Sequence, residues 1–457
     1  MERISPAVKR TLVSLSVAAS FAAATLAAPQ AAFAAVDPGV QGGAARAGGP
    51  LPGLTAAELD AFNDGKADFA EAEGVGDGLG PRFNLDSCGG CHIQPAIGGT
   101  SPATNPQVAI ATASGAKNTV PSFITSTGPI REARFIRKAD GTADGGVHSL
   151  FVISGRVDST GNATGCTITQ DNFATQVSNG NVIFRIPTPV FGGGLIEMIP
   201  DVQITDNLAA NATAKSNLGI SGKVNRNGND GTIAHFGWKA QNKSLLLFSG
   251  EAYNVEMGIT NELFPTEREE NFNCQFANRP NDVTALDGTS AATVLSAIEK
   301  FANFMRFAAG PTRSTTAPGG STSIANGEAV FNNIGCVLCH TKSLKTSDVA
   351  TVAALRSQTV NLFSDLAVHD MGPGLADSVT QGQAQGGEFR TAPLWGLGQR
   401  IFFLHDGRTK DLITAINAHK SAANATFEAS EANGVVDRFN ALSDTSKQDL
   451  LNFLRSL

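Results

Sequence analysis

Cys88-Gly89-Gly90-Cys91-His92 and Cys336-Val337-Leu338-Cys339-His340 are the two stretches whose reading decides what this chain can be. Each sets two thiols three positions apart with a histidine directly behind the second. With 6 Cys and 7 His in 457 residues, chance supplies one such pentapeptide in about one chain in a thousand, and two far more rarely. The spacing suits covalent attachment of a c-type haem. Each thiol adds to one vinyl group, and the adjacent histidine reaches the iron as proximal ligand. Cys88, Cys91, Cys336 and Cys339 are therefore expected to anchor two haems, with His92 and His340 on their irons. A zinc ribbon would bring its two Cys-x-x-Cys pairs within roughly fifteen to twenty residues of each other, but here they lie more than 240 positions apart. A thioredoxin-like pair needs a βαβ setting and has no use for the trailing histidine. Simple disulfides would leave the repeated histidine unexplained.

The N-terminus sets the compartment. Arg3, Lys9 and Arg10 precede an apolar run over 11–28, and Ala32-Phe33-Ala34 offers small residues at a cleavage site. These are the parts of a secretory signal over 1–34. Export is expected, to the periplasm in a cell with an outer membrane, and it agrees with haem attachment outside the cytoplasm. Loss of three positive charges and one negative would take the net charge from −7 to about −9. An acidic chain with scattered Lys and Arg is a poor nucleic-acid binder. No later stretch is long and apolar enough to span a bilayer. A chain that is 42% hydrophobic and 16% charged is not disordered. In an oxidising compartment the remaining pair, Cys166 and Cys274, is expected to form a disulfide.

Periodicity gives the organisation: a mainly α protein of two cytochrome c-like haem domains, with a β/loop-rich insertion in the N-terminal one. The N-terminal haem domain is expected over 35–310. Its first helix lies in 54–73, where Thr55 and Glu58 have capping-box spacing. Between about 102 and 261, Gly, Thr, Asn and Ser are dense, and the runs 149–154, 181–186 and 244–248 predict strands. A helix is expected over 293–306. The stretch 311–323, rich in Pro, Gly, Ser and Thr, reads as a linker. The C-terminal cytochrome c domain follows over 324–457. In it a short helix over 326–333 feeds Cys336, and a terminal helix over 445–457 is opened by a Thr445/Gln448 box.

Five segments carry a resemblance: GLGPRFNLDSCGGCH, TPVFGGGLIEMIPD, HFGWKA, DLAVHDMGPGLAD and FLHDGRT. Together with the order of the two haem motifs, they make the chain similar to the bacterial di-haem cytochrome c peroxidase superfamily. Within it, the chain resembles the di-haem oxidoreductase family, whose members are also described as peroxidases or thiol oxidoreductases. The resemblance implies peroxide reduction at the N-terminal haem, with electrons delivered through the C-terminal one. In the peroxidases the distal ligand of the C-terminal haem stands fourteen positions after the His of His-Asp-Gly and is usually Met. Counting from His405 gives His419, which implies a bis-histidine iron of lower potential, with His369 and Met371 as rival ligands. The first haem has no well-placed distal histidine. The resemblance makes Glu197 its catalytic acid–base.

Arg131 and Arg134 are candidates for haem propionates, because Arg makes forked bonds to carboxylates. Trp238 and Trp395 are candidates to bridge the haems, since the many Phe rings cannot readily lose an electron. His148 reads as solvent-facing and His235 as a core residue. The implied partners are a small electron-transfer protein and a peroxide or other small oxidant. The related peroxidases hold a calcium, for which no dense Asp cluster speaks here. Two further readings stay open: a non-catalytic di-haem electron carrier, and a haem oxygenase or protein-modifying enzyme.

Overall fold

Thr55 caps the first helix, α1 (Ala56–Ala70), through the expected reciprocal box. Its Oγ accepts the Glu58 amide at 3.3 Å and Glu58 Oε2 accepts the Thr55 amide at 2.7 Å. The structure, a computed structural model, describes residues 1, 34–43, 47–110, 120–145, 150–152, 154–268, 271–276 and 279–457. Residues 2–33 of the expected export signal, and His148, lie outside them. Two units are distinguished: Met1–Ala34, of which only the two end residues are described, and Ala35–Leu457.

Helix predominates in the second unit, as expected for a mainly α chain. After α1 the elements that matter for the site are α2 (Cys88–Cys91), β1 (Glu132–Phe135), β2 (Val182–Arg185), α3 (Gly193–Glu197), α4 (Leu245–Met257), α5 (Ala297–Phe307), α6 (Gly320–Ile334), β3 (Val368–Asp370), β4 (Glu388–Arg390), α7 (Leu412–Ala418) and α8 (Asp444–Ser456). α5 packs against α1, α4 and α3, and α6 packs against α8. The apolar interior accordingly has two large clusters. One gathers Phe62, Phe69, Tyr253, Phe301 and Phe304; the other gathers Ile324, Phe331, Leu450, Leu451 and Phe453. The first also takes in Leu344, Val360 and Leu366, so the segment after His340 reaches back across 311–323.

Strands are short, antiparallel and paired in twos. β1 and β2 set Glu132 opposite Arg185, and β3 and β4 set Val368 opposite Arg390. Cys166 and Cys274 are joined as a disulfide, with Cα atoms 4.7 Å apart.

Several expected elements come out differently. The run 244–248 is not a strand but the start of α4. Ser244 Oγ accepts the Leu247 amide at 3.1 Å, so the serine is an N-cap ahead of an apolar run too short to show its period. The region 102–261 is helix and loop more than sheet. The helix over 293–306 is two, Ala291–Val294 and α5, because Ser296 restarts it by a box with Glu299. α6 begins at Gly320, inside the expected linker, after Gly319 turns at φ 77°. α8 is capped by Ser443, not by Thr445, and Gln448 instead bonds the Val36 backbone.

Candidate functional site

Both pentapeptides turn in the same way. His92 N–H donates to Cys88 O at 2.9 Å, and His340 N–H donates to Cys336 O at 2.9 Å, so each brings its two thiols and its imidazole to one side of a tight turn. Their supports differ. In the first, Ser87 Oγ caps α2 by accepting the Gly90 amide at 3.2 Å. A Cβ on Gly89 would stand 2.8 Å from Ala70 Cα, so glycine there lets α1 lie directly on the motif. The second is entered by Gly335 at φ 104°, directly from the end of α6.

Each pentapeptide opens on a cavity. The space around Cys88, Cys91 and His92 amounts to about 1130 Å³, and that around Cys336, Cys339 and His340 to about 1590 Å³, open mouths included. Ile186, Pro187 and Trp238 line both cavities and form a shared wall. Trp238 is fixed there by its indole N–H, which donates to Ile186 O at 3.0 Å.

The donors fit a haem. His92 Nδ1–H donates to Gly99 O and His340 Nδ1–H to Phe363 O, each at 3.1 Å. A carbonyl bond at Nδ1 fixes the tautomer that offers Nε2 to a metal. Burial, opposed by the carbonyls of Gly99 and Thr188, holds His92 at about 4. Burial and the neighbouring His419 hold His340 at about 4, so both rings are neutral. Burial also pushes Cys336 up to about 12, and Cys88 and Cys91 well above their usual range.

The second cavity holds another imidazole oriented in the same way. His419, at the end of α7, donates Nδ1–H to Ala415 O at 2.7 Å, and burial lowers its pKa. Met371 and His369 also line this cavity, but the ring nitrogens of His369 are bonded to carboxylates. Its Nδ1 lies 2.7 Å from Glu431 and its Nε2 3.0 Å from Asp365. Burial works against the Glu431 charge, but the hydrogen bond and charge of His369 hold that carboxyl at about 2. Cys339, Asp365 and His369 form the one cluster among the described residues that could hold a free metal ion, and both nitrogens of its histidine are occupied.

In the first cavity no second histidine faces His92 among the described residues. Carboxylates do: Glu132, Glu251 and Glu256, with Arg134 among them. Burial, reinforced by Glu132, pushes Glu256 up to about 8 despite the opposing Arg134. Tyr253 stands in the same wall and donates to Glu73 at 2.8 Å, while burial raises Glu73 to about 7.

Other expected site residues land elsewhere. Glu197 lines neither cavity: its Oε1 accepts the Leu245 amide at 2.8 Å, opening α4, and its Oε2 accepts Arg306 Nε at 2.8 Å. The Gly-rich run before it serves the same packing, since a Cβ on Gly194 would stand 2.1 Å from Arg306 O. Arg131 also lines neither cavity; it donates to Asp406 O at 2.9 Å and lies over Phe184. Arg134 is in the first cavity, 3.1 Å from Glu132. Trp395 lines a small chamber beside both cavities, with Trp238, Arg390 and Arg400. His235 is fully buried, as expected for a core residue. The carboxylate cluster was missed by sequence reasoning, although the i, i+2 spacing of Glu132 and Arg134 puts them on one face of a strand.

With this geometry in hand, the profile described as "Di-haem oxidoreductase, putative peroxidase" matches residues 133–457, more than half of the chain. The chain belongs to the di-haem oxidoreductase family. The matched range of this di-haem oxidoreductase contains the second pentapeptide, while the first lies ahead of it. No curated protein matches the chain. Among solved structures, the chain is similar to hydrazine synthase of Kuenenia stuttgartiensis (19% identity, 37% of this chain and 56% of that one, TM-score 0.24). It is similar to a MauG-like protein associated with microbial copper homeostasis (16% identity, 59% and 89%, TM-score 0.28). It is also similar to the di-haem peroxidase BthA of Burkholderia thailandensis (16% identity, 49% and 66%, TM-score 0.30). The chain thus spans little more than half the length of the hydrazine synthase chain. Among the described residues, no helix is long and apolar enough to cross a membrane.

Proposed function

We propose that this di-haem oxidoreductase is an exported protein with two covalent c-type haems, one on each pentapeptide. It reduces a peroxide in the first cavity with electrons that enter through the second, delivered by a small electron-transfer protein. One observation carries the reading: a second, correctly turned imidazole faces only the C-terminal cavity. When bound, haem supplies one-electron redox chemistry and, where its sixth position is open, a place for a small oxidant.

His340 and His419 would close the second site to ligands and leave it to pass electrons. In the first cavity, Glu256 keeps its proton at neutral pH and can give it to a departing oxygen. Arg134 supplies positive charge beside that carboxylate. The acid–base role expected of Glu197 therefore passes to Glu256, because Glu197 is spent on Arg306 and α4.

EPR and resonance Raman of the purified protein, oxidised and half-reduced, test the reading. One low-spin bis-histidine signal and one high-spin signal that responds to hydrogen peroxide are expected. Met257 and Met305 also line the first cavity, which favours the electron-carrier reading as the second choice. Purely low-spin spectra that ignore peroxide would select it.

A further inference from the structure

Most buried cations of this chain are matched by carboxylates. Arg455 has Asp37 at 2.7 Å, Arg185 and Lys239 share Asp377 at 2.7 and 3.1 Å, and Arg156 has Asp158 at 3.1 Å. Lys215 lacks one but donates to the free carbonyls of Asn207 and Leu208.

Arg390, which is buried, and Arg400, which is half-buried, break this pattern. Both line the C-terminal cavity and the chamber that holds Trp238 and Trp395. Arg390 is 8% exposed, and among the described residues the one bond of its guanidinium runs from Nε to Gly237 O at 2.9 Å. Arg400 donates Nη2–H to Pro393 O at 2.6 Å, and its Nε is buried without an acceptor. Among the described residues, neither has a carboxylate within ion-pair distance. Asp365 acts on Arg390 only from further off and is already bonded to His369. Burial, and for Arg390 the charge of Arg400, pull both guanidinium groups down to about 10, still charged at neutral pH. A buried and a half-buried cation lining one cavity without a counter-ion are unfavourable, so an anion belongs there.

A c-type haem brings its own carboxylates, two propionates on the macrocycle edge away from the thioethers. Cys336 and Cys339 line the cavity but not the chamber; Arg390 and Arg400 line both. We propose that Arg390 and Arg400 bind the propionates of the haem carried by Cys336 and Cys339, turning that edge toward the chamber and the first cavity. The inference rests on the two-haem reading above; Arg131 lines neither cavity and Arg134 only the first, so neither is placed for this haem. Forked guanidinium bonds would fix the orientation of the macrocycle. The two cations would favour the reduced haem and offset the low potential that bis-histidine ligation confers.

The test uses the haem-loaded protein with Arg390→Gln and Arg400→Gln, and with Arg390→Lys and Arg400→Lys. Haem is counted by pyridine haemochrome, the midpoint of each haem is read by spectroelectrochemistry, and the propionate bending band by resonance Raman. With two haems retained, each Gln variant is expected to lower the reduced-to-oxidised ratio of the C-terminal haem at least tenfold at fixed potential, about 59 mV for one electron. The N-terminal midpoint stays put, the propionate band moves, and the Lys variants give the smaller shift of potential. Unchanged midpoint and band in both Gln variants overturn the proposal. If those variants do not accumulate, an unchanged band in both Lys variants does the same. Acetate that saturably shifts the wild-type C-terminal spectrum, but not that of the Gln variants, would assign the pair to a free anion and also overturn it. A count below two haems in the unsubstituted protein instead sinks the two-haem reading. Absent peroxide turnover with these shifts present sinks the peroxidase reading alone.

Discussion

His92 and His340 leave their pentapeptides through the same amide-to-carbonyl bond and are held in the same tautomer by a carbonyl, yet they look into different surroundings. His340 shares its cavity with His419, a second neutral imidazole, amid walls that are mostly apolar. His92 shares its cavity with three carboxylates, two arginines and a tyrosine. On the proposed two-haem reading, the pentapeptide specifies attachment and the proximal ligand and nothing more. Whether the site reacts or conducts is decided by residues far away in sequence, which are brought in by α4, β1 and α7.

The severest way to break the comparison is to remove one attachment point. Cys88→Ala with Cys91→Ala should reduce the pyridine haemochrome count from two to one and abolish peroxide turnover while the low-spin signal survives. Cys336→Ala with Cys339→Ala should spare the high-spin signal instead. Loss of the same signal in both would show that the cavities are not independent sites.

Next in size is the proton donor. Glu256→Gln should lower peroxide turnover about 10²–10⁴-fold with both haems present. The neutral carboxyl is the form that donates, so wild-type turnover should fall as pH rises through about 8, and the variant should lose that limb. Glu197→Gln should leave turnover and its pH profile intact. It should cost about 1–3 kcal/mol of stability, read from denaturant melts, because Arg306 loses its partner.

How far these residues could be read from the chain follows from the same contrast. The four thiols, His92, His340 and His419 are tied to motifs of fixed spacing, so their place in the two cavities was legible. α1 and α8 were legible too, since a capping residue or an apolar stripe marks each. α4 was not, because SLLLF shows no period over five residues, and with α4 went Glu251 and Glu256. Arg390 and Arg400 carry no local signal at all. What singles them out is that, among the described residues, no acid stands within ion-pair distance of either, which no spacing along the chain records. Glu197 shows the opposite case: a likeness in sequence marked an acid that in the structure is bonded to Arg306 and the Leu245 amide.

His419→Ala sharpens the contrast without removing a haem. The C-terminal site should change from low-spin to a form that binds imidazole from solution, as followed by EPR. Met371→Leu should leave the spectrum unchanged. If Met371→Leu alone changes the spin state, the bis-histidine assignment is wrong and the two cavities differ less than their side chains suggest.

The smallest effect concerns the wall between the cavities. Trp238 lines both cavities and the chamber and is pinned by Ile186 O, whereas Trp395 lines the chamber alone. If electrons cross through an aromatic ring, Trp238 is the better placed. Trp238→Phe should slow reoxidation of the C-terminal haem by peroxide about tenfold, equivalent to ~1.4 kcal/mol of barrier, in stopped-flow traces. Trp395→Phe should change that rate less. Its ring packs on Gly310, where an added Cβ would stand 3.0 Å away, so its loss should appear first in the melting temperature. Equal rates for both variants and wild type would mean that the haems exchange electrons through space or along Ile186 and Pro187, and that the shared wall separates the cavities without connecting them.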